Sequence, residues 1–173
     1  NLGGGFSDVT VGSLGDLSNG AAAAWGDWNG DGWLDLYLAN DTAPDRLFRN
    51  DGGIFALVTA VDDHGPTRSV LWFDYDRDGD LDLYLCGNDA FGKLLLNDDG
   101  SFLSVPMGWT EAAGPATSAA CGDVDDDGDL DLYIARDNAP NVLLLNESPP
   151  ANRVGFRFPE TGTNGDDLGA RVR

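Results

Sequence analysis

The sequence predicts an all-β fold of β-propeller blades, each of four short antiparallel strands, with about three blades forming a partial propeller. Three observations carry this. The segments GDWNGDGWLDLYLAN (26–40), FDYDRDGDLDLYLCG (73–87) and GDVDDDGDLDLYIAR (122–136) align without gaps. Their leading aspartates, Asp27, Asp74 and Asp123, stand 47 and 49 residues apart. Within each period, short apolar stretches alternate with polar residues and are cut by turn residues, the pattern of strands rather than helices. A period of this size with four strands suits one propeller blade, which cannot bury its faces alone and stacks on its neighbours.

The elements follow in order. Ala22–Gly26, Ser69–Phe73 and Ser118–Gly122 read as first strands that enter the acidic loops. LDLYLAN, LDLYLCG and LDLYIAR read as second strands, and RLFRN, KLLLN and VLLLN as third strands. Asn50, Asn97 and Asn146 each fall 23 residues after the leading aspartate, so the register holds past the loops. IFALVT and SFLSVP read as fourth strands, entered through the turn dipeptides Asp51–Gly52 and Asp99–Gly100. VGFRF (154–158) is the expected fourth strand of the third blade, and GGFSDVT (4–10) resembles an isolated outer strand. One propeller-type domain over 1–173 results, with blades at 20–60, 67–107 and 116–159. Residues 162–173 begin a further strand or segment. The length differences between repeats fall in Gly- and Pro-bearing stretches, which tolerate insertion.

Composition limits function. The chain has 173 residues, 42% of them hydrophobic, enough for a real core despite a net charge of −20. That charge argues against a nucleic-acid partner and against docking on an anionic membrane, and no apolar run is long enough for membrane insertion. Cations or basic partners are its natural counterparts. Cys86 and Cys121 could pair, but two free, small core residues is the better reading.

Each acidic loop has the form D-x-[DN]-x-D-G-x-x-D. Oxygen-bearing side chains stand at positions 1, 3, 5 and 9: Asp27, Asn29, Asp31 and Asp35; Asp74, Asp76, Asp78 and Asp82; Asp123, Asp125, Asp127 and Asp131. Position 6 is always glycine, free to take the positive φ that wraps a chain around an ion. Position 7 (Trp33, Asp80, Asp129) offers its backbone carbonyl. Hard oxygen donors on a flexible loop suit Ca²⁺, one ion per loop and three in all. The loops gather 14 of the 30 acidic residues into 27 positions, where they repel one another without cations. An EF-hand fails because position 12 is Leu38, Leu85 or Ile134 inside a strand, not glutamate between helices. The nonapeptide calcium roll fails on its shorter glycine repeat.

Together the loops, the LDLYLAN-type strands and the N-D-G turns resemble FG-GAP/VCBS repeats, the calcium-loop blades of integrin α-chain propellers and many secreted bacterial proteins. The resemblance spans about residues 4–158. GTNGDDLGARVR (162–173) resembles the opening of the ASPIC/UnbV module that follows such repeats in relatives of cartilage acidic protein. Such propellers close with roughly 4–8 blades. Two explanations of three blades stand open: two copies complete one ring as a homodimer, or further blades lie outside these residues.

The expected function is a non-enzymatic, secreted or cell-surface module for adhesion or protein recognition, with calcium as a structural ion and a protein or extracellular-matrix ligand. A carbohydrate-binding propeller is the alternative, with Trp28 or Trp33 on the sugar. Trp25 and Trp72 share one repeat position and read as core. His64 reads as a surface or capping residue, since no nucleophile motif accompanies it. Asn40-Asp41-Thr42 and Asn146-Glu147-Ser148 match a short glycosylation pattern.

Overall fold

Among the described residues three antiparallel sheets form, and each corresponds to one repeat. The computed structural model describes residues 5–15, 18–58, 66–87, 92–105 and 115–147. The first sheet holds β1 (Gly20–Gly26), β2 (Asp35–Asn40), β3 (Arg46–Asp51) and β4 (Ile54–Val58) in sequential order. The second holds β5 (Thr67–Phe73), β6 (Asp82–Gly87), β7 (Lys93–Asp98) and β8 (Ser101–Val105). The third holds β9 (Ala116–Gly122), β10 (Asp131–Arg136) and β11 (Val142–Leu144). The expected strand at 154–158, the segment 162–173 and His64 lie outside the described residues.

The first strands lie side by side, β1 against β5 and β5 against β9, so the sheets fan out from a shared edge. Strand alternation makes the middle sheet two-faced. Leu83, Leu85 and Leu95 point toward the first sheet and meet Tyr37, Ala39 and Leu47. Tyr84, Cys86 and Leu94 point the other way and meet Leu132 and Ile134 of the third sheet. Close approach is built in. A Cβ at Gly26 would lie 2.9 Å from the Trp72 ring, whose Nε1–H donates to the Ala24 carbonyl at 3.4 Å.

Four details depart from the expectations. The first strands begin two residues earlier than read, through a bulge repeated in every sheet (Gly20/Ala22, Thr67/Ser69, and opposite Ala135/Arg136). A bulge adds an unpaired residue that breaks the alternation from which strand limits are read. The first hairpin turns at Gly52–Gly53, φ 65° and 99°, one residue later than Asp51–Gly52; the second turns at Asp99–Gly100 as expected. The outer strand expected over 4–10 is absent among the described residues. Residues 5–11 carry no regular structure, and Phe6 and Val9 are exposed. A short 3-10 turn at Gly12–Leu14 follows and packs on β4, where Ser13 Oγ donates to the Phe55 carbonyl at 3.0 Å. Trp25 and Trp72 share a repeat position but not an environment. Trp72 packs between sheets, whereas Trp25 sits on the outer face of the first sheet, 55% exposed, with Phe55 5.9 Å away.

Candidate metal centres

Each acidic loop joins the first two strands of its sheet, from Gly26 to Asp35, Phe73 to Asp82 and Gly122 to Asp131. It coils because two of its residues take positive φ. Position 4 (Gly30, Arg77, Asp126) lies at 61–69°, and position 6 (Gly32, Gly79, Gly128) at 86–100°. Only glycine does this without penalty, which explains position 6; Arg77 and Asp126 bear a cost of about 1 kcal/mol each.

Side-chain oxygens hold the coil inward. Asp27 accepts the amides of Asp31 (3.1 Å) and Gly32 (2.8 Å), and Asp74 accepts that of Gly79 (3.2 Å). Position 3 accepts the amide two residues on: Asn29 at 2.9 Å, Asp76 and Asp125 each at 3.3 Å. Position 5 does the same: Asp31 and Asp78 at 2.9 Å, Asp127 at 3.0 Å. In the second loop, oxygens of Asp74, Asp76 and Asp78 come within 4.8 Å of one another. In the third, Asp123, Asp125 and Asp131 do so. The first loop, with Asn29 at position 3, brings together no such carboxylate triad among the described residues.

Position 9 does more than was read from the sequence. Asp35, Asp82 and Asp131 are buried, and one oxygen of each accepts the backbone amide of Asn50, Asn97 or Asn146, at 2.7, 2.8 and 2.9 Å. The other oxygen of Asp82 accepts the Tyr75 amide at 2.7 Å, and that of Asp131 the Val124 amide at 2.9 Å. These aspartates pin loop, second strand and third strand together. In the first loop Asp35 Oδ2 is buried without a hydrogen-bond partner.

The donor set fits a hard cation. Asp74 Oδ1 is also buried and unpartnered, and a buried carboxylate oxygen without a hydrogen bond is costly unless a cation meets it. Burial, with repulsion from neighbouring carboxylates, resists ionisation at four of these positions, whereas the Asp129 amide lowers Asp127. Burial pushes Asp82 up to about 6 against the pull of the Asn97 and Tyr75 amides, with Asp76 and Asp78 adding repulsion. Burial likewise raises Asp35 and Asp76, the latter also through Asp78. Desolvation raises Asp125 in the same direction.

Position 7 stands apart. None of its side chains joins a carboxylate triad. Trp33 is 53% exposed, and Asp129 pairs with Arg77 from the preceding loop. That ion pair was not legible in the sequence, because position 4 varies among glycine, arginine and aspartate.

The family model for the FG-GAP-like repeat matches residues 27–85 and 74–134. The chain belongs to this family. The two matched spans overlap across the second acidic loop and together include all three. A search of curated proteins returned no significant match. FG-GAP-like repeats often bind calcium, are typical of extracellular proteins and are typically non-enzymatic. Among the described residues of this FG-GAP-like chain, no helix is long and apolar enough to cross a membrane. Both cysteines are free, as read; Cys86 is buried and Cys121 half-buried. Asn40 and Asn146, the glycosylation matches, are buried and hydrogen-bonded in the fold. Trp28, one of two candidate sugar contacts, belongs instead to the core between the first two sheets.

Proposed function

We propose that this FG-GAP-like chain is an extracellular adhesion or protein-recognition module, stabilised by one structural Ca²⁺ in each acidic loop. The observation that supports this reading best is the threefold recurrence of one coiled loop with inward oxygens. Two of the loops carry a close carboxylate triad. Bound there, a calcium ion would neutralise the carboxylates and supply no reaction chemistry. Asp27, Asn29, Asp31 and Asp35 would hold the first ion; Asp74, Asp76, Asp78 and Asp82 the second; Asp123, Asp125, Asp127 and Asp131 the third. The backbone carbonyls of Trp33, Asp80 and Asp129 would complete the sets. The chain's own residues do the rest: position 9 ties each loop to its sheet, and stacked sheets hold the loops in a row. Titration calorimetry of chelator-treated protein tests the reading. Three sites are expected, and one or none would overturn it.

A homodimer is part of the proposal. The outer face of the third sheet exposes Tyr133, Leu143 and Leu145, an apolar surface that a second copy would cover. A sugar-binding reading keeps one supporting observation, the exposed indole of Trp33, and a glycan array separates it from protein recognition.

A further inference from the structure

The repeat supplies its own standard for what fills the space between neighbouring loops. Between the second and third loops, Arg77 at position 4 reaches across to Asp129 at position 7 of the next loop. Their side chains are only 11% and 3% exposed, so a guanidinium–carboxylate pair is buried between these loops. The equivalent residues between the first and second loops are Gly30 and Asp80. Gly30 supplies no side chain, and a Cβ built there meets nothing within 4 Å. The Asp80 carboxylate has no partner among the described residues. A cleft of ≈ 290 Å³ lies beside it, lined by Trp28, Asn29, Arg49, Asp80, Asp99 and Gly100.

We propose that this cleft receives an arginine side chain of a partner protein, placed against Asp80 as Arg77 is placed against Asp129. The proposal rests on the protein-recognition reading and names the chemistry of the partner. Asp80 and Asp99 supply acceptor-only carboxylates for a fork of N–H donors. The largely buried Trp28 closes the cleft on its core side. A Cβ at Gly100 would come within 3.1 Å of that indole, so the glycine lets the ring lie close to the second hairpin. Arg49 also lines the cleft, where its Nη2 donates to the half-exposed Asp51 at 2.8 Å and not to Asp80. A metal ion suits the cleft poorly, because Asp80 and Asp99 belong to no group of converging carboxylates. An ammonium is a compact, strongly hydrated charge and matches the planar Arg77 precedent less well.

The test uses calcium-loaded full-length chain and acetyl-Gly-Arg-Gly-amide, with citrulline and lysine versions as controls, read by amide and indole NMR shifts. The expected result is saturable binding of the arginine peptide, with shifts concentrated at Trp28, Asp80 and Gly100. The citrulline peptide should not bind, and the lysine peptide should bind more weakly. Asp80→Asn should weaken arginine binding roughly tenfold or more, the scale of a lost charge-assisted bond. Gly30→Arg, which copies Arg77, should occupy the cleft and abolish binding while leaving the fold intact, and it carries the test should Asp80→Asn not fold. Equal binding of arginine with either control, or binding unchanged by both variants, would overturn the proposal. No peptide binding in a protein that still takes three calcium ions would defeat this inference alone and leave the calcium reading standing.

Discussion

Asn97 Nδ2 donates to the Trp28 carbonyl at 2.7 Å, which hooks the second sheet onto the acidic loop of the first. Asn146 makes the same bond to the Tyr75 carbonyl at 2.8 Å, one sheet further on. Both amides also donate within their own repeats, Asn97 to Leu81 at 3.2 Å and Asn146 to Leu130 at 3.3 Å. Asn97 Oδ1 accepts the Gly100 amide at 2.9 Å and so fixes the hairpin turn. One buried side chain therefore binds its own loop, its own turn and the neighbouring loop. Order in one acidic loop is thereby tied to the seating of the next sheet.

Asn97→Ala should destabilise the calcium-loaded protein by about 2–4 kcal/mol, since it leaves two carbonyls and an amide unpaired at a buried site. Asn50→Ala should cost less. Asn50 Nδ2 donates to the Leu34 carbonyl of its own loop and, among the described residues, reaches no preceding loop. Urea denaturation of the two variants in calcium checks the order, and equal losses would count against the hook.

The loops should be unequal in calcium. The first has Asn29 in place of a carboxylate and no close triad among the described residues, so its site should be the weakest. Asp76→Ala and Asp125→Ala should each lower calcium-dependent stability more than Asn29→Ala. Calorimetric affinities and melting temperatures of the three variants decide this. A larger effect at Asn29 would contradict the assignment.

Chelation should lower the melting temperature sharply, because an ion bound only by the native state stabilises it by mass action. Removing calcium leaves eleven carboxylate side chains at positions 1, 3, 5 and 9 without a counter-charge. A melting curve unchanged in excess chelator would rule out structural ions.

The pH dependence should change sign with calcium. In the ion-free protein Asp82 stands at about 6, above its unfolded value of 3.8, so the native state binds more protons between these values. Ion-free stability should therefore rise as pH falls from about 7 toward 4, and be lost again as pH rises through about 6. With calcium the slope should reverse, since the ligand form is the carboxylate and protons compete with the ion. Thermal melts of decalcified and calcium-saturated protein at pH 7 and pH 5 give both signs; parallel slopes would exclude proton–calcium competition at this site.

Cys86 should be inert in the native state. Burial pushes its thiol up to about 12, so almost no thiolate exists at neutral pH, and Cys121 is raised for the same reason. A thiol reagent at pH 8 should modify Cys86 only as fast as the protein unfolds. Fast native-state labelling of Cys86 would contradict its place between the second and third sheets.

Much of this was legible because it is local and repeated. The aspartate spacing gave the sheets, and the glycine at position 6 gave the coil of the loop. Environment was not legible, because identical repeat positions differ by what stacks on them. Trp25 and Trp72 show this, and so do Trp28 and Val124 at position 2: Trp28 is buried against the next sheet, while Val124 is exposed. The conserved spacing of Asn50, Asn97 and Asn146 within the chain marked the register but not the hook, since its acceptors are backbone carbonyls of another repeat. Arg77 was hidden for the opposite reason: it occurs in one loop only.

The outer face of the third sheet leads to the final expectation, self-association. Tyr133, Leu143 and Leu145 occupy the repeat positions of Tyr84, Leu94 and Leu96. In the middle sheet those positions are covered by a neighbour: Tyr84 is fully buried, whereas Tyr133 is 48% exposed. The same apolar face thus recurs without a sheet upon it among the described residues, and covering it would contribute roughly 1 kcal/mol or more per large side chain. A second copy should supply that cover in calcium, when ordered loops hold each sheet ready to dock. Sedimentation across micromolar concentrations should show a dimer. Leu143→Glu should shift it to monomer while changing the melting temperature of the separated chain little, as expected for an exposed position. A monomer at every concentration in calcium, or a dimer indifferent to Leu143→Glu, would refute association through this face.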